Sequence, residues 1–186
     1  LEPHHVSTNP MFSATTAGTG VPTLAMVEYR FRLTCPAQTT AKLHRSALFA
    51  TNRGAIIEAR LRITSHRART RTGLHLLLDD GLHSYAVGFT ENSSGKFVAL
   101  SVSSGLGFGE IAGRDGQAAK LSFLYDWSQF HTYRLERRPS EGLFLFVDNE
   151  PRPRLTMVEA DFGLLASSHF NAPTIAFGQF SPEGST

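Results

Sequence analysis

The chain has 186 residues, with 18 basic and 16 acidic side chains, a net charge of +2 and 41% hydrophobic residues. Charged residues make up 18% of the chain, against about 25% in an average soluble domain. That balance excludes an acidic or basic disordered tail and a coiled coil, and the length suits one domain whose core needs no metal or disulfide staple.

No apolar run reaches the roughly 18 residues of a membrane span, and the N-terminus lacks the charged-then-apolar form of an export signal. Arg outnumbers Lys fifteen to three, and Arg is the better planar donor to carboxylate, sulfate and phosphate. The single cysteine, Cys35, cannot form an intrachain disulfide and reads as a small buried hydrophobe. No basic face interleaved with aromatics and no nucleic-acid motif is present, so nucleic acid is not an expected partner.

The first 20 residues, rich in His, Ser, Thr and Gly, have no period and read as an irregular arm ahead of a single domain over residues 21–186. His4 and His5 read as a tag remnant at least as readily as metal ligands. Ala25–Leu33 and Ala55–Ile63 (AIIEARLRI) alternate apolar with charged residues and predict half-buried strands. In the second, Ile57, Ala59, Leu61 and Ile63 point one way, and Glu58, Arg60 and Arg62 the other. A basic connection, Thr64–Gly73, follows. Leu74–Leu78 predicts a strand ending at the turn Asp79-Asp80-Gly81, then come strands Ser84–Thr90 and Phe97–Val102. Ala118–Trp127 is the one stretch that could make a helix. Strand Thr132–Arg138 leads through a turn at Pro139–Gly142 into Leu143–Val147, where Asp148-Asn149-Glu150 supplies a tight turn whose first residues tolerate positive φ. Ile175–Phe180 is the last strand. About ten short strands with turn signals and little or no helix define an all-β antiparallel sandwich or jelly roll.

Trp127, His131-Thr132, Tyr133 and Leu135, then Leu145, Val147, Asp148 and Asn149, then Ile175–Gly178, match in order a pattern of the concanavalin A-like lectin/glucanase superfamily. The resemblance is closest to its laminin-G-like modules. Ala55–Ile63 resembles an early strand of that family, so the likeness runs from Gly54 to Gly178. It implies a β-sandwich and leaves function open, because many activities share this architecture. It also implies an extracellular or secreted setting, with roles in carbohydrate binding or cell adhesion.

The glucanases of the superfamily carry an E-x-D-x-x-E strand, and this sequence has none. Retaining hydrolysis needs two carboxyls about 5 Å apart. The nearest acidic pairs here are Asp79-Asp80 in a turn and Glu159 with Asp161 outside any clear strand, and no catalytic residue is assigned. A lyase site would need Arg, Tyr and His around a uronate. Arg60, Arg62, His75 and Tyr85 supply those residue types. Arg67, Arg69 and Arg71 share one face of the basic connection if it is extended. Together these seven form the candidate ligand-binding set, with bidentate Arg bonds to acidic groups as the mechanism. The resemblance also implies a Ca2+ option, for which Asp79, Asp80 and Asp148 are the oxygen donors available. The leading expectation is a non-catalytic module binding a carbohydrate, including acidic glycans, or a protein surface. A polysaccharide lyase or hydrolase and a structural, homo-oligomerising domain are the alternatives. Asn92-Ser93-Ser94 is an N-glycosylation triplet in a predicted turn.

Overall fold

Strands with one apolar face are stable only when that face meets a second layer. The computed structural model of the chain describes residues 13–19, 23–27, 30–34, 39–46, 54–64, 74–92, 95–102, 120–162 and 172–179. The strands are β1 (Ser13–Gly18), β2 (Thr23–Val27), β3 (Arg30–Thr34), β4 (Thr39–Ser46), β5 (Ala55–Leu61), β6 (Leu74–Asp80) and β7 (Ser84–Asn92). They continue with β8 (Gly95–Val102), β9 (Lys120–Leu124), β10 (His131–Arg138), β11 (Gly142–Val147), β12 (Leu155–Val158) and β13 (Pro173–Gln179). A seven-stranded antiparallel sheet runs β1-β4-β13-β6-β7-β8-β9, and a four-stranded one runs β12-β11-β10-β5. β2 and β3 form a separate hairpin. The all-β sandwich expected from the sequence is the observed fold; the only helical element among the described residues is a 3-10 turn, Glu159–Asp161.

Alternation decides which side chains enter the core. From the large sheet come Leu76, Leu78, Tyr85, Val87, Phe89, Val98, Leu100 and Val102; from the small sheet come Tyr133, Leu135, Leu143, Leu145, Val147 and Met157. Phe89 and Tyr133 meet edge to face across the two layers, with ring centroids 5.0 Å apart. Trp127 and Ile63 are buried in the same cluster, and Ile63 N–H donates to the Trp127 carbonyl at 2.9 Å. β6 does not alternate because it is buried on both sides. Leu76 and Leu78 face the core, while Leu77 joins Ala86 and Ala176 in a second buried cluster. A strand covered on both faces reads as a continuous apolar run.

The turns follow from backbone chemistry. Asp148 and Asn149 both have positive φ, 53° and 59°, and Glu150 N–H closes the turn on the Val147 carbonyl at 3.1 Å. Gly142, at φ 137°, sits where an added Cβ would overlap the Met157 carbonyl oxygen, so the crossing of β11 and β12 requires glycine.

Several expectations are corrected. Residues 13–18, read as part of an irregular arm, form β1, paired with β4. The single strand expected at Ala25–Leu33 is instead two strands of a hairpin, with Val27 opposite Arg30. The sequence between Val27 and Arg30 holds no Gly, Asn or Pro, so it carries no turn signal. The segment proposed as helical, Ala118–Trp127, holds β9, whose backbone pairs with β8 from Phe97↔Leu124 to Ser101↔Lys120. Sheet pairing outweighs a weak helix preference there. β4 and β12 went unannounced; β12 has only four residues, too few to display a period.

Candidate functional site

Strand β10 passes through the sandwich with polar clusters at both ends. The ends, His131 and Arg137, are six residues or about 20 Å apart.

At its C-terminal end, Arg137 occupies an inward-facing position of the same parity as Tyr133 and Leu135, and its side chain is buried. A buried cation must be paired to be tolerated. Arg137 Nη2 donates to Glu159 Oε1 at 2.8 Å, Nη1 to the Arg138 carbonyl at 2.5 Å, and Nε to the Tyr85 hydroxyl at 3.2 Å. Its guanidinium also lies 5.6 and 5.5 Å from the ring centroids of Tyr85 and Phe162. Tyr85 in turn donates to Asp80 Oδ2 at 2.7 Å. Burial, reinforced by the Asp80 carboxylate, pushes the Tyr85 hydroxyl well above the usual tyrosine range. Burial works against the charge of Arg137, yet Tyr85 and Glu159 outweigh it and hold the guanidinium above its already high range. Such a tyrosine keeps its proton at neutral pH. The cluster is a strut joining the two sheets.

The two acids of the β6–β7 turn serve that end. Asp79 Oδ1 accepts from Gly81 N–H at 2.8 Å, and Oδ2 accepts from Ser84 Oγ at 2.5 Å. Asp80 Oδ1 accepts from Leu82 N–H and His83 N–H at 2.8 and 2.7 Å. All four oxygens are committed to the turn or to Tyr85, as Asx-turn chemistry predicts.

The N-terminal end of β10 is open. Asp148 Oδ1 accepts from Thr132 N–H at 3.0 Å; Oδ2 accepts from the Tyr125 hydroxyl at 2.8 Å and lies 2.6 Å from His131 Nδ1. The other imidazole nitrogen lies 3.1 Å from the Asp126 carbonyl oxygen. Partial burial disfavours ionisation of Asp148, but the donors from Thr132, His131 and Tyr125 outweigh it and lower its pKa. The Tyr125 hydroxyl is pushed up to about 12 by desolvation and then by Asp148. Asp126 is exposed; Ser128 Oγ and N–H, then Lys96, lower its pKa to about 2. Lys96 Nζ lies 3.2 Å from Asp126 Oδ1 and 4.8 Å from the centroid of the Trp127 ring. Lys96, Leu124, Tyr125 and Asp126 line a shallow open depression of about 450 Å3. A carboxylate acceptor ionised at neutral pH, an ammonium, an aromatic ring and an exposed leucine therefore share one shallow surface.

Arg60 and Arg62 belong to this open end. Arg60 lies opposite Thr132 on β10, and the guanidiniums of Arg60 and Arg62 sit 5.6 and 4.8 Å from the centroid of the same ring, Phe130. His75 and Tyr85 do not join them. In the β6–β7 register His75 faces Gly88 while Leu78 faces Tyr85, so the two side chains fall on opposite faces of the large sheet. Both are fully buried. The lyase-type grouping of Arg60, Arg62, His75 and Tyr85 is therefore not assembled. Arg67, Arg69 and Arg71 lie outside the described residues, as do Cys35, Ser93 and Ser94. Glu159 is held by Arg137.

The three acids expected to bind Ca2+ do not form one site: Asp79 and Asp80 close the β6–β7 turn, and Asp148 lies at the other end of the sandwich. Among the described residues no group of three His, Cys, Asp or Glu side chains is placed to hold a metal ion.

Lys96, Tyr125, Asp126 and His131 were not singled out as ligand-binding residues from the sequence. Asp126-Trp127-Ser128 carries an Asx-turn signal, but only the β8–β9 pairing brings Lys96 to Asp126, thirty residues away.

These sheets define an antiparallel β-sandwich. Solved structures share the fold. A form of the Emp46p carbohydrate recognition domain superposes with a TM-score of 0.61 at 16% identity, covering 96% of this chain and 85% of that one. The potassium-bound form of the same domain gives 0.58 at 19% identity, with coverage of 96% and 86%. The globular domain of T. cruzi calreticulin gives 0.50 at 10% identity, with coverage of 94% and 80%. At these identities the likeness is one of fold. No protein-family model matches the chain, and no curated protein matches it.

Proposed function

We propose that the chain is a non-catalytic carbohydrate-recognition module whose glycan site is the open end of the sandwich, at Lys96, Leu124, Tyr125 and Asp126. The observation that carries this reading is the exposed, ionised Asp126 carboxylate beside Tyr125 and Leu124 on one concave surface. A sugar offers an apolar ring face and hydroxyl donors. Tyr125 and Leu124 meet the first requirement, and Asp126 meets the second through charge-assisted hydrogen bonds. The carbohydrate recognition domain with the same fold supports the ligand class. Arg62, with Arg60, adds donors for acidic sugars on the flank of this surface. Trp127, His131, Tyr133 and the Asp148-Asn149 turn, which carry the laminin-G resemblance, frame the site and support that subtype as the finer assignment.

The test is a glycan array with neutral, uronate, sulfated and sialylated sugars, run with and without Ca2+ and K+ at two salt concentrations. Binding that is lost in Asp126→Asn supports the site. Binding restricted to acidic glycans and weakened in Arg62→Gln supports the acidic preference. Silence across the array contradicts the carbohydrate reading.

A further inference from the structure

Arg60 and Arg62 are exposed on the outward face of the small sheet, and their guanidiniums lie 5.6 and 4.8 Å from the centroid of one ring, Phe130. The ring attracts each cation but neutralises neither. The backbone holds the pair in place. Leu61, between them, is in register with His131, and Ile63 N–H, just beyond Arg62, donates to the Trp127 carbonyl at 2.9 Å. Phe130 comes from the connection that joins those two anchors, Trp127 and His131. Thr132, directly opposite Arg60 on β10, adds a hydroxyl on the same face. The neighbouring carboxylates are engaged with other groups. Glu136 pairs with Arg134 and Arg138 at 3.0 and 2.6 Å, and Glu58 lies opposite Arg134 in the β5–β10 register. Asp148 accepts from Thr132 N–H and Tyr125 and lies 2.6 Å from His131 Nδ1.

We infer that Arg60, Arg62 and Thr132 form a binding site for a phosphomonoester, with Phe130 as the ring that gathers the two guanidiniums. Charge selects this ligand. A uronate, a sialate or a sulfate ester carries a single negative charge and leaves one of the two guanidiniums uncompensated. A phosphomonoester carries about −1.5 to −2 at pH 7 and offers three strong acceptor oxygens. It can take a bidentate bond from one guanidinium and further bonds from the other and from the Thr132 hydroxyl. Guanidiniums already stacked on a ring lose less freedom on binding than free side chains. The neighbouring depression suggests the carrier, because Phe130 and Asp126 belong to the same β9–β10 connection. A phosphorylated sugar could engage both. The carrier rests on the carbohydrate reading above; the anion site does not.

The side-chain Nε–Hε resonances of the 15N-labelled chain test this during titration at about pH 7 with methyl phosphate, dimethyl phosphate and methyl sulfate. Arg60 and Arg62 are expected to shift on one saturation curve while Arg137 stays fixed. Methyl phosphate should bind at least about tenfold more tightly than the two singly charged esters, and Arg60→Gln and Arg62→Gln should each weaken it by about tenfold. Both side chains are exposed, so the urea midpoints of these variants stay at the wild-type value. Glucose 6-phosphate and inorganic phosphate identify the carrier. The sugar phosphate should bind about tenfold more tightly, as two linked contacts do, and Asp126→Asn should remove that margin without weakening inorganic phosphate. Equal affinity for methyl and dimethyl phosphate overturns the inference, and so does methyl phosphate binding that is indifferent to both Arg changes. Glucose 6-phosphate that binds no more tightly than inorganic phosphate, with both lost in the Arg variants, overturns the sugar as carrier and counts against the carbohydrate reading. A sugar whose binding depends on Asp126, with Arg60 and Arg62 unmoved by methyl phosphate, overturns the anion site alone.

Discussion

The two ends of β10 carry nearly the same chemical groups in opposite settings. One end has Tyr85, Asp80 and Arg137; the other has Tyr125, Asp148 and His131 with Lys96 close by. At the first, Arg137 is 7% exposed, and its guanidinium is held by Glu159, the Tyr85 hydroxyl and the Arg138 carbonyl. At the second, the side chains of Asp126 and Asp148 are 63% and 42% exposed. The parity of the strand and the covering elements make the difference. Arg137 points inward beneath Phe162 and the β6–β7 turn, whereas Asp126 sits in the connection between β9 and β10. Burial turns a tyrosine, a carboxylate and a guanidinium into a strut, because each must satisfy the others. Exposure leaves acceptors and an aromatic ring to meet a solute. The candidate site is therefore the end whose polar groups are not all consumed by one another.

This contrast can be broken in graded steps. The largest effect is expected at the closed end's supporting turn. Gly142→Ala forces a side chain against the Met157 carbonyl at positive φ and destabilises the chain by about 4 kcal/mol, read as a lowered urea midpoint. Next comes the strut itself. Arg137→Met leaves Glu159 without its cation and the Tyr85 hydroxyl without its Nε donor, and costs about 3 kcal/mol in the same unfolding experiment. A loss below 1 kcal/mol would show that the cluster is not structural.

At the open end the expected stability effects are small and the binding effects larger. Asp126→Asn leaves the urea midpoint essentially unchanged, because the side chain is exposed, but weakens glycan binding by about tenfold or more through loss of charge-assisted acceptors. An unchanged affinity would remove Asp126 from the site. The mildest effect concerns acid. Asp148 has a lowered pKa in the folded chain, so the stability it contributes is present above the unfolded carboxylate value of 3.8 and is lost as pH falls through its folded value. Carbon-detected titration should place its midpoint below 3.8, and Asp148→Asn should flatten the acid limb of the stability profile only below about pH 4.

How much of this was legible in the sequence depends on whether one face or two are buried. Ala55–Ile63 announced itself because β5 has an inward and an outward row. The Asp148-Asn149 turn announced itself because only a few residue types accept positive φ in succession. β6 hid its period because Leu76, Leu77 and Leu78 are all buried, and β9 hid behind residues that also suit a helix. The site failed for a related reason. His75 and Tyr85 lie on adjacent strands, so residue type grouped them. Facing is set by register, and a single residue of offset sends two side chains to opposite faces. Arg60 and Arg62 were legible as an outward pair, but Phe130 beneath them was not, because it comes from a connection seventy residues away.

The most direct measurement is an amide-resolved NMR titration of the chain with an oligosaccharide chosen from the array. If the open end is the ligand site, the resonances of Lys96, Leu124, Tyr125 and Asp126 shift with a common saturation curve while those of Tyr85 and Arg137 stay fixed. Shifts confined to the closed end, or to the face bearing His75 and Leu77, would contradict the account.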